Sequence, residues 1–468
     1  MNSKIFSAIE HIKSVASAPK ITFDDAAVIF NTINKYFGEF NRSQKFRETE
    51  IKLSKRFHEF LEFFDREQGV IFASQFFLFC YTLAQDYKQV QNPICENVAL
   101  PYRNWVANKW GAFAPVVKNV TRGDEYVFVC RHAVTTGAYA PGSSIYTFAN
   151  ALLDAKRKVT IISLGHVSEQ FRNLSKKHSD LKIYTINNAS LTERFLSLVE
   201  LLTIIKPSAI LTEIEFDIVS VLSILQPQLP TIFLSPGFYT VPWFDKIGIT
   251  DTLAIDENHF RWNDFFEIPN YVSERILNPV VDEKKITYFR RQLGLNQNDF
   301  VIGSFARMEK FQTPFLTVIS NVLDNCAMVK VVLAGPNDRS PVENVLKRYI
   351  ASGRATVLPS SDVHALGHCV TLGIDTFPTH SGFSVLELMA KGVPVVAKQG
   401  VKNHINMRQR IPDLVCKDES SLVDLIGEFA HNPHILEKFR QSSKELAASN
   451  SNDKRFLCAL DETLLEAK

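Results

Sequence analysis

The sequence predicts an α/β protein in which an all-helical segment precedes two Rossmann-like units, each with a doubly wound parallel sheet. Three observations lead to this prediction. The first part of the chain is rich in Phe at helical spacing. From Tyr126 onward, short apolar runs alternate with amphipathic segments, and this alternation starts again after a Pro-containing stretch at 268–284. Alternation of this kind is typical of buried parallel strands with helices packed against them.

Length and composition indicate a globular protein of several domains. The chain has 468 residues, of which 46% are apolar and 22% charged. Its 52 Lys+Arg and 50 Asp+Glu give a net charge of +2, which argues against a nucleic acid or a membrane surface as the main partner.

The cysteines and the N-terminus favour a soluble, cytoplasmic protein. Seven cysteines are scattered without a CxxC pair, which indicates reduced thiols rather than disulfides or a zinc site. Lys4, Glu10 and Lys13 interrupt the segment where a signal peptide needs an apolar core. The most apolar window, Val70 to Ala84, is shorter than the roughly 20 residues that span a bilayer, and we interpret it as a buried core helix.

The expected domains are residues 1–118, all helical, 119–280 with the first sheet, and 281–468 with the second sheet and helices at the end. In the helical domain, the apolar stripes at helical spacing are Phe57, Phe60, Phe63 and Phe64, then Phe72, Phe76, Phe77 and Phe79. The strands predicted for the first sheet are 126–131, 158–164, 181–186, 208–213 and 230–235. Those predicted for the second sheet are 299–306, 327–335, 354–359, 373–378 and 392–398.

In open parallel sheets, ligands bind beyond the carboxyl ends of the strands, near the N-termini of helices. The sequence has no GxGxxG after either first strand and no GxxxxGK[ST] motif. A simple dinucleotide dehydrogenase or a P-loop NTPase is therefore not expected.

The stretch 374–400 predicts an anion site in the second sheet. A strand there ends before a helix that begins around Ser381, and Glu387 follows about one turn later, where a carboxylate suits the hydroxyls of a ribose. An N-cap serine and a solvated acid explain the same residues. The backbone N–H groups expected to be unpaired and directed at a pyrophosphate belong to Ser381, Gly382, Phe383 and Ser384.

A second stretch at the same sheet edge is GSFARMEK, residues 303–310. Gly303 allows a close approach of the chain, and Arg307 and Lys310 are two cations that suit a diphosphate. A solvated basic loop is the alternative interpretation.

Together these stretches, over about residues 295–400, resemble the nucleotide-sugar domain of GT-B glycosyltransferases. They are most similar to family 41, which contains O-linked N-acetylglucosamine transferases and bacterial adhesin N-glycosyltransferases. The patterns GxFxxxxK and DT…GxP…G stand here as Gly303, Phe305, Lys310, Asp375, Thr376, Gly392, Pro394 and Gly400. The resemblance implies a GT-B fold with two sheets facing across a cleft. It also implies that Lys310 contacts the UDP diphosphate, that Arg307 lies by the nucleotide and that Glu387 holds the ribose.

The chain departs from both related patterns. Where family 41 has His-Thr-Thr-Gly, this chain has Thr379, His380, Ser381 and Gly382, and the step to Gly392 is longer. GFSVLELMAKGVPVV is also similar to the GFxxxEAMAxGxPVV pattern of family 4, but that family needs an acid at the position of Thr379.

The resemblance places the nucleobase against the loop after the third strand of this sheet, where Pro359 and His364 could stack on it. His364 and His368 are spaced like a metal pair, but no third ligand is in view, so no metal site is predicted. No cofactor is expected beside the nucleotide-sugar substrate.

The first sheet should supply the acceptor side and the base. His132 follows its first strand and is the candidate general base, with His166 and His380 as competitors and a purely structural role as the alternative. Gly142 lies in a loop expected to open a helix at 143–144, where the chain can approach a ligand. Tyr239 and Trp243 suit stacking on a sugar or peptide, or packing at a hinge.

The expected function is metal-independent transfer of a sugar from a nucleotide-diphosphate sugar, with UDP as the expected nucleotide, to an acceptor. The helical N-terminal segment favours a protein or peptide acceptor, by analogy with relatives that have helical extensions in that place. Two alternatives stay open. One is a family 4-like transferase of lipid-linked or surface polysaccharide, and the other is a catalytically silent GT-B partner of another transferase.

Overall fold

The computed structural model describes residues 3–40, 52–83, 97–98, 100–113, 124–134, 140–187, 190–212, 221–225, 231–235, 246–249, 264–267, 277–296, 298–378, 380–399 and 410–466. The chain divides into two compact units. The first comprises residues 1–134, 152–268 and 459–468, and the second comprises residues 135–151 and 269–458.

The first unit begins with helices that share a core of aromatic rings. These helices are α1 (Ser3–Ser17), α2 (Phe23–Phe40), α3 (Phe57–Leu61), α4 (Arg66–Leu83) and α5 (Leu100–Trp110). Phe57, Phe72 and Phe76 are fully buried, with the rings of Phe57 and Phe76 centred 5.0 Å apart. The predicted aromatic core is confirmed for Phe57, Phe60, Phe64, Phe72 and Phe76, and the side chains of Phe77 and Phe79 lie outside the described residues. Trp110 extends the core toward the sheet by packing edge-on against Phe195, at 5.5 Å between ring centroids.

The first sheet has seven parallel strands in the order β3-β2-β1-β4-β5-β6-β7. Its strands are β1 (Glu125–Cys130), β2 (Lys158–Ser163), β3 (Leu181–Thr185), β4 (Ala209–Thr212), β5 (Thr231–Ser235), β6 (Lys246–Ile249) and β7 (Asp264–Glu267). The helices that follow β1, β2 and β3 are α6 (Ala140–Asp154), α7 (Glu169–Lys177) and α8 (Leu191–Ile205). Every residue of β1 is buried, as a continuous apolar run in a central strand predicts.

The second sheet has six parallel strands in the order β10-β9-β8-β11-β12-β13. Its strands are β8 (Phe300–Phe305), β9 (Val329–Ala334), β10 (Ala355–Leu358), β11 (Leu372–Ile374), β12 (Val395–Lys398) and β13 (Val415–Cys416). The helices are α9 (Glu283–Gln292), α10 (Thr313–Asn325), α11 (Ser340–Ala351), α12 (Val363–Gly367), α13 (Phe383–Ala390), α14 (Glu419–His431), α15 (Glu437–Ser449) and α16 (Asp453–Glu466). In this order the chain reverses direction across the sheet between β8 and β11, and such a switch point is where open α/β sheets bind ligands.

The predicted α/β class and two parallel sheets are confirmed, with local corrections. The strand expected at 373–378 ends at Ile374, because Asp375 and Thr376 already belong to the turn that leads into α13. The helix expected to open at 143–144 begins at Ala140, so that Gly142 lies in its first turn. Strands β6, β7 and β13 are not among the predicted strands, and β13 has only two residues, too few for a periodic pattern.

No helix in the described part of the chain is both long and apolar enough to cross a bilayer. The predicted domain boundaries at 118 and 280 stay a prediction.

Three loops at the carboxyl edge of the second sheet are joined to one another by backbone hydrogen bonds. The N–H of Ala306 donates to the Ala334 carbonyl (3.0 Å), and the N–H of Gly335 donates to the Leu358 carbonyl (3.2 Å). The N–H of Met308 likewise donates to the carbonyl of Pro336 (3.1 Å). A Cβ atom at Gly335 would lie 1.7 Å from the Ala306 carbonyl oxygen, so the loops can meet only because this residue is glycine. The segment that leads to Lys310 is therefore held by its neighbours.

We expect Gly335→Ala to lower the free energy of unfolding by about 1–3 kcal/mol, because the new methyl group must displace backbone rather than a side chain. Gly427→Ala is the matched control. Gly427 lies inside α14, and a Cβ atom there would make an ordinary contact of 3.7 Å with Cys326. Replacing this helical glycine should raise the free energy of unfolding by about 0.5–1 kcal/mol. Denaturant unfolding of both variants measures the difference, and equal stability of the two would contradict the prediction.

Candidate functional site

The two stretches singled out in the sequence meet at the switch point of the second sheet. Lys310 ends a short 3-10 turn, Met308–Lys310, that follows β8, and His380 lies in the turn that follows β11. The Lys310 ammonium donates a hydrogen bond to the His380 carbonyl oxygen at 2.9 Å, across 70 residues of sequence. Arg307 precedes the same 3-10 turn and is exposed. The structure thus brings the predicted cation to the start of the predicted anion-binding helix.

A buried carboxylate organises the turn between β11 and α13. Asp375 is 1% exposed and accepts hydrogen bonds from Arg410 (2.9 Å), from His380 Nδ1 (2.8 Å) and from the Ser381 N–H (2.8 Å). The Arg410 side chain is itself fully buried and also donates to the Ser381 carbonyl at 2.5 Å. Because all three partners belong to or contact this turn, Asp375 fixes its path.

The charge state of Asp375 follows from these partners. Burial on its own would raise the pKa of the carboxyl group, but the Arg410 charge and the hydrogen bonds within the turn outweigh it. They hold the pKa of Asp375 at about 2, so the carboxylate is ionised at neutral pH. An ionised carboxylate only accepts hydrogen bonds, and Nδ1 of His380 therefore carries a proton.

The expectation of four unpaired N–H groups at the start of α13 is wrong for Ser381. Its N–H donates to Asp375, and its hydroxyl pairs with that of Thr376 at 3.0 Å. Helix α13 begins two residues later, with Gly382 at the N-cap position and no side-chain cap. Among the described residues, no acceptor is bonded to the N–H groups of Gly382, Phe383 and Ser384. These three donors and the helix dipole can meet an anion.

Glu387 and His364, for which ribose and nucleobase contacts are predicted, lie beside each other. His364 Nε2 is 3.9 Å from a Glu387 carboxylate oxygen, and the two side chains are 22% and 15% exposed. Burial raises the pKa of Glu387, and the charge of Lys391 only partly opposes it. Burial and the Lys391 charge lower the pKa of His364 to about 4, so its ring is neutral at pH 7.

Gly303 and Pro359 take different positions at this edge. Gly303 lies inside β8, where a Cβ atom would be 2.5 Å from the Val370 side chain, so packing within the sheet explains this glycine. Pro359 directly follows β10 and is exposed. Contacts of either residue with a nucleotide stay a prediction.

In the first unit, His132 follows β1 and is held against the loop after β2. The N–H of His166 donates to Nδ1 of His132 at 3.1 Å. Gly165 makes room for the ring, since a Cβ atom there would lie 2.6 Å from Nδ1. A backbone N–H can only donate, so the neutral ring carries its own proton on Nε2. That tautomer is the reverse of what a base acting through Nε2 needs, and the base role of His132 stays a prediction that this contact does not support.

The other residues predicted for the acceptor side, Gly142, Tyr239 and Trp243, add no contact to the described site. Gly142 is buried in the first turn of α6 rather than in a loop. Tyr239 and Trp243 lie outside the described residues.

The comparisons with known proteins find similarity in structure but not in sequence. No protein-family model and no curated protein sequence matches the chain. A mutant O-GlcNAc transferase of Thermobaculum terrenum is similar with a TM-score of 0.57 at 12% identity, over 100% of this chain and 99% of that one. A glycosyltransferase from Rickettsia africae is similar with a TM-score of 0.59 at 13% identity, over 74% of this chain and 99% of that one. The Anabaena HepE protein in complex with UDP is similar with a TM-score of 0.53 at 15% identity, over 73% of this chain and 100% of that one.

The chain has the GT-B fold. The predicted fold class is thereby confirmed, and the predicted similarity to O-GlcNAc transferases is borne out at the level of structure. At 12–15% identity the similarity concerns the GT-B fold and not the substrate. The candidate site of this GT-B chain therefore has to be argued from its own residues.

Sequence reasoning missed two residues of this site, Arg410 and Lys391. Arg410 lies 35 residues from Asp375 in sequence, and an Arg before an apolar segment gives no local signal of its partner. Lys391 had a signal, because it is four residues after Glu387 and therefore on the same helix face. Two of its three hydrogen-bond partners, Leu277 and His364, are distant in sequence and come close only in the folded chain.

We expect Arg410→Met to lower the free energy of unfolding by about 3–5 kcal/mol, because it leaves the Asp375 carboxylate buried without a countercharge. The double variant with Asp375→Asn should lose less stability than the two single variants together, since both substitutions remove the same ion pair.

Arg440→Met is the control for this prediction. Arg440 pairs with Glu437 on α15 at 2.9 Å, with side chains 39% and 79% exposed, so its loss should cost less than about 1 kcal/mol. The denaturant midpoints of Arg410→Met, Asp375→Asn, the double variant and Arg440→Met measure these differences in stability. An Arg410 variant as stable as the Arg440 variant would show that Asp375 does not depend on the buried arginine.

Proposed function

We propose that the chain is a glycosyltransferase that takes a nucleotide-diphosphate sugar, with UDP as the nucleotide, at the carboxyl edge of the second sheet. The observation that carries the proposal is the 2.9 Å hydrogen bond between Lys310 and the His380 carbonyl. It joins a cation from the loop after β8 to the start of α13, at the switch point of a Rossmann-like sheet. A diphosphate can be bound by this combination of a cation held in place and N–H donors at a helix start.

The chemistry of the proposal is a displacement at the anomeric carbon of the sugar. The bond from that carbon to the diphosphate oxygen breaks as the acceptor oxygen or nitrogen attacks, and negative charge grows on the leaving diphosphate. Lys310, with Arg307 beside it, and the N–H groups at the start of α13 stabilise this charge in the transition state. With these groups in place, the proposed reaction needs no metal ion.

The nucleoside would lie toward Glu387 and His364. A carboxylate and an imidazole, both largely buried and 3.9 Å apart, suit the hydroxyls of a ribose. Pro359, exposed at the end of β10, is available to stack on the base.

UDP is favoured over other nucleotides by the family 41 resemblance and by the similar HepE structure, which contains UDP. A protein or peptide as acceptor rests on the helical N-terminal segment and on the similarity to an O-GlcNAc transferase, and it stays a proposal. The base that deprotonates the acceptor is not assigned, because Nδ1 of His132 already accepts a hydrogen bond.

A silent GT-B partner is the second candidate. The internal use of both the N–H and the hydroxyl of Ser381 favours it, since the family's phosphate-binding order is altered at this position. Release of UDP from UDP-sugars without an acceptor separates the two candidates, because a silent partner would neither bind UDP nor release it.

We expect UDP to protect residues 303–310 and 380–387 from amide hydrogen exchange, because the ligand would bridge both loops and restrict their opening. Mass spectrometry of the protein with and without UDP measures the protection, and adenosine diphosphate serves as the control nucleotide. Protection confined to residues 125–212 would place the donor elsewhere and overturn the proposal.

We expect Lys310→Ala to lower kcat about 10²- to 10³-fold, because it removes a charge-assisted hydrogen bond worth roughly 2–4 kcal/mol where charge develops. Glu387→Gln should instead raise KM about tenfold with little change in kcat, since a ribose is held equally in the ground and transition states.

Lys347→Ala, which removes an exposed lysine of α11, is the matched control and should leave both constants unchanged. The assay is UDP release from a panel of UDP-sugars, with thermal melting to check the fold. Full turnover by Lys310→Ala would contradict the assigned role of this lysine.

A further inference from the structure

Lys391, at the end of α13, makes three hydrogen bonds that the proposed donor site has not yet used. Its Nζ lies 2.8 Å from the Leu277 carbonyl, 2.9 Å from the Glu387 carbonyl and 3.2 Å from Nδ1 of His364. An ammonium group has three hydrogens, and these three partners match them in number. Lys391 thus connects the C-terminal end of α13 to α12, which carries His364.

The contact with Lys391 determines which nitrogen of His364 carries the proton. The two carbonyl oxygens can only accept, so they take two of the ammonium hydrogens, and the third is directed at Nδ1. Nδ1 must then present its lone pair, and the proton of the neutral ring lies on Nε2. Nε2 is the nitrogen that faces Glu387, at 3.9 Å from its carboxylate.

A glycine leaves the space through which the Lys391 side chain passes. A Cβ atom at Gly367, the last residue of α12, would lie 2.9 Å from Cδ and 3.3 Å from Cε of Lys391. Leu277 is 1% exposed and packs against Leu386, so the carbonyl that anchors the ammonium is held as well.

We propose that Lys391 is a positioning residue that holds His364 with Nε2–H toward Glu387, so that the pair offers one donor and one acceptor to a single ribose hydroxyl. The ribose part of this proposal rests on the proposed function. A separation of 3.9 Å is too long for a direct hydrogen bond, but an oxygen placed beside the pair can be within bonding distance of both. A hydroxyl there accepts from Nε2–H and donates to the carboxylate, which a deoxyribose cannot do.

The charges around His364 agree with a neutral ring. Burial and the charge of Lys391 keep the pKa of His364 at about 4, against a weaker opposite effect of Asp362. His368, directly after the end of α12, also disfavours the imidazolium form. Lys285 in turn pairs with Asp362, at 3.2 Å, and reduces the influence of that carboxylate.

The first test is the tautomer of His364 in the protein without nucleotide, read from imidazole ¹⁵N shifts at pH 7. His364→Gln assigns the signal among the 12 histidines by its loss. We expect protonated Nε2 in the parent protein and a mixture of tautomers in Lys391→Met and in Gly367→Ala, which keeps the charge but displaces the lysine.

Lys444→Met, which removes an exposed lysine of α15, should leave the ring as in the parent. Protonated Nδ1 in the parent, or an unchanged ring in folded Lys391→Met and Gly367→Ala, would overturn the proposal. If Lys391→Met does not fold, the parent protein and Gly367→Ala still decide it.

The second test compares UDP with its 2′-deoxy and 3′-deoxy analogues by calorimetry. The parent should prefer UDP over one analogue by about tenfold or more, and Lys391→Met should lose most of that preference. An undiminished preference in that variant would refute the effect on ribose selection. If the parent binds no UDP, the proposed function fails, while the tautomer measurement still judges the role of Lys391.

Discussion

The arrangement of the second unit's carboxyl edge depends on one buried charge, the carboxylate of Asp375. An ionised group with 1% exposure is tolerated only if its oxygens are bonded and its charge is balanced. Arg410 supplies the balance, and His380 and the Ser381 N–H supply the remaining bonds. Because each partner is bound to a defined oxygen, the path of the chain from β11 to α13 is fixed before any ligand arrives.

Lys310 reaches the same turn from the opposite side of the switch point. It bonds the carbonyl of His380, while the side chain of that histidine bonds Asp375. The loop after β8 is in turn held by the backbone bonds that Gly335 makes possible. A preorganised cation of this kind stabilises developing charge without first having to reorganise, which is the main advantage of such sites over water.

Helix α13 links the two ends of the proposed nucleotide site. Its first residues carry the N–H donors, and its last turn carries Glu387 and leads to Lys391. At 1.5 Å per residue, the four steps from Phe383 to Glu387 rise about 6 Å along the helix axis. A rigid element of this length sets the distance between phosphate and ribose groups by itself. Gly392 has a φ of 77° and ends the helix directly after Lys391, which leaves that side chain at the helix terminus.

The sequence by itself determined the two parallel sheets and the stretches that line the switch point. Both signals are local, because a buried strand must be apolar along its whole length and the residues after a strand necessarily lie at its carboxyl end. Lys310 and Glu387 could therefore be placed near this edge from the sequence, whereas Gly303 lies inside β8 and packs against Val370. Short strands such as Val415–Cys416 could not be placed, since two residues leave no periodic pattern.

Only the tertiary structure decided which polar groups neutralise or orient one another. Arg410 bonds Asp375 across 35 residues, and Lys391 bonds His364 across 27. The protons on His132 and His364 depend on neighbours contributed by other segments, a backbone N–H in one case and an ammonium group in the other. Charge balance and hydrogen-bond direction act through space over a few ångströms, and the order of residues along the chain does not record those distances.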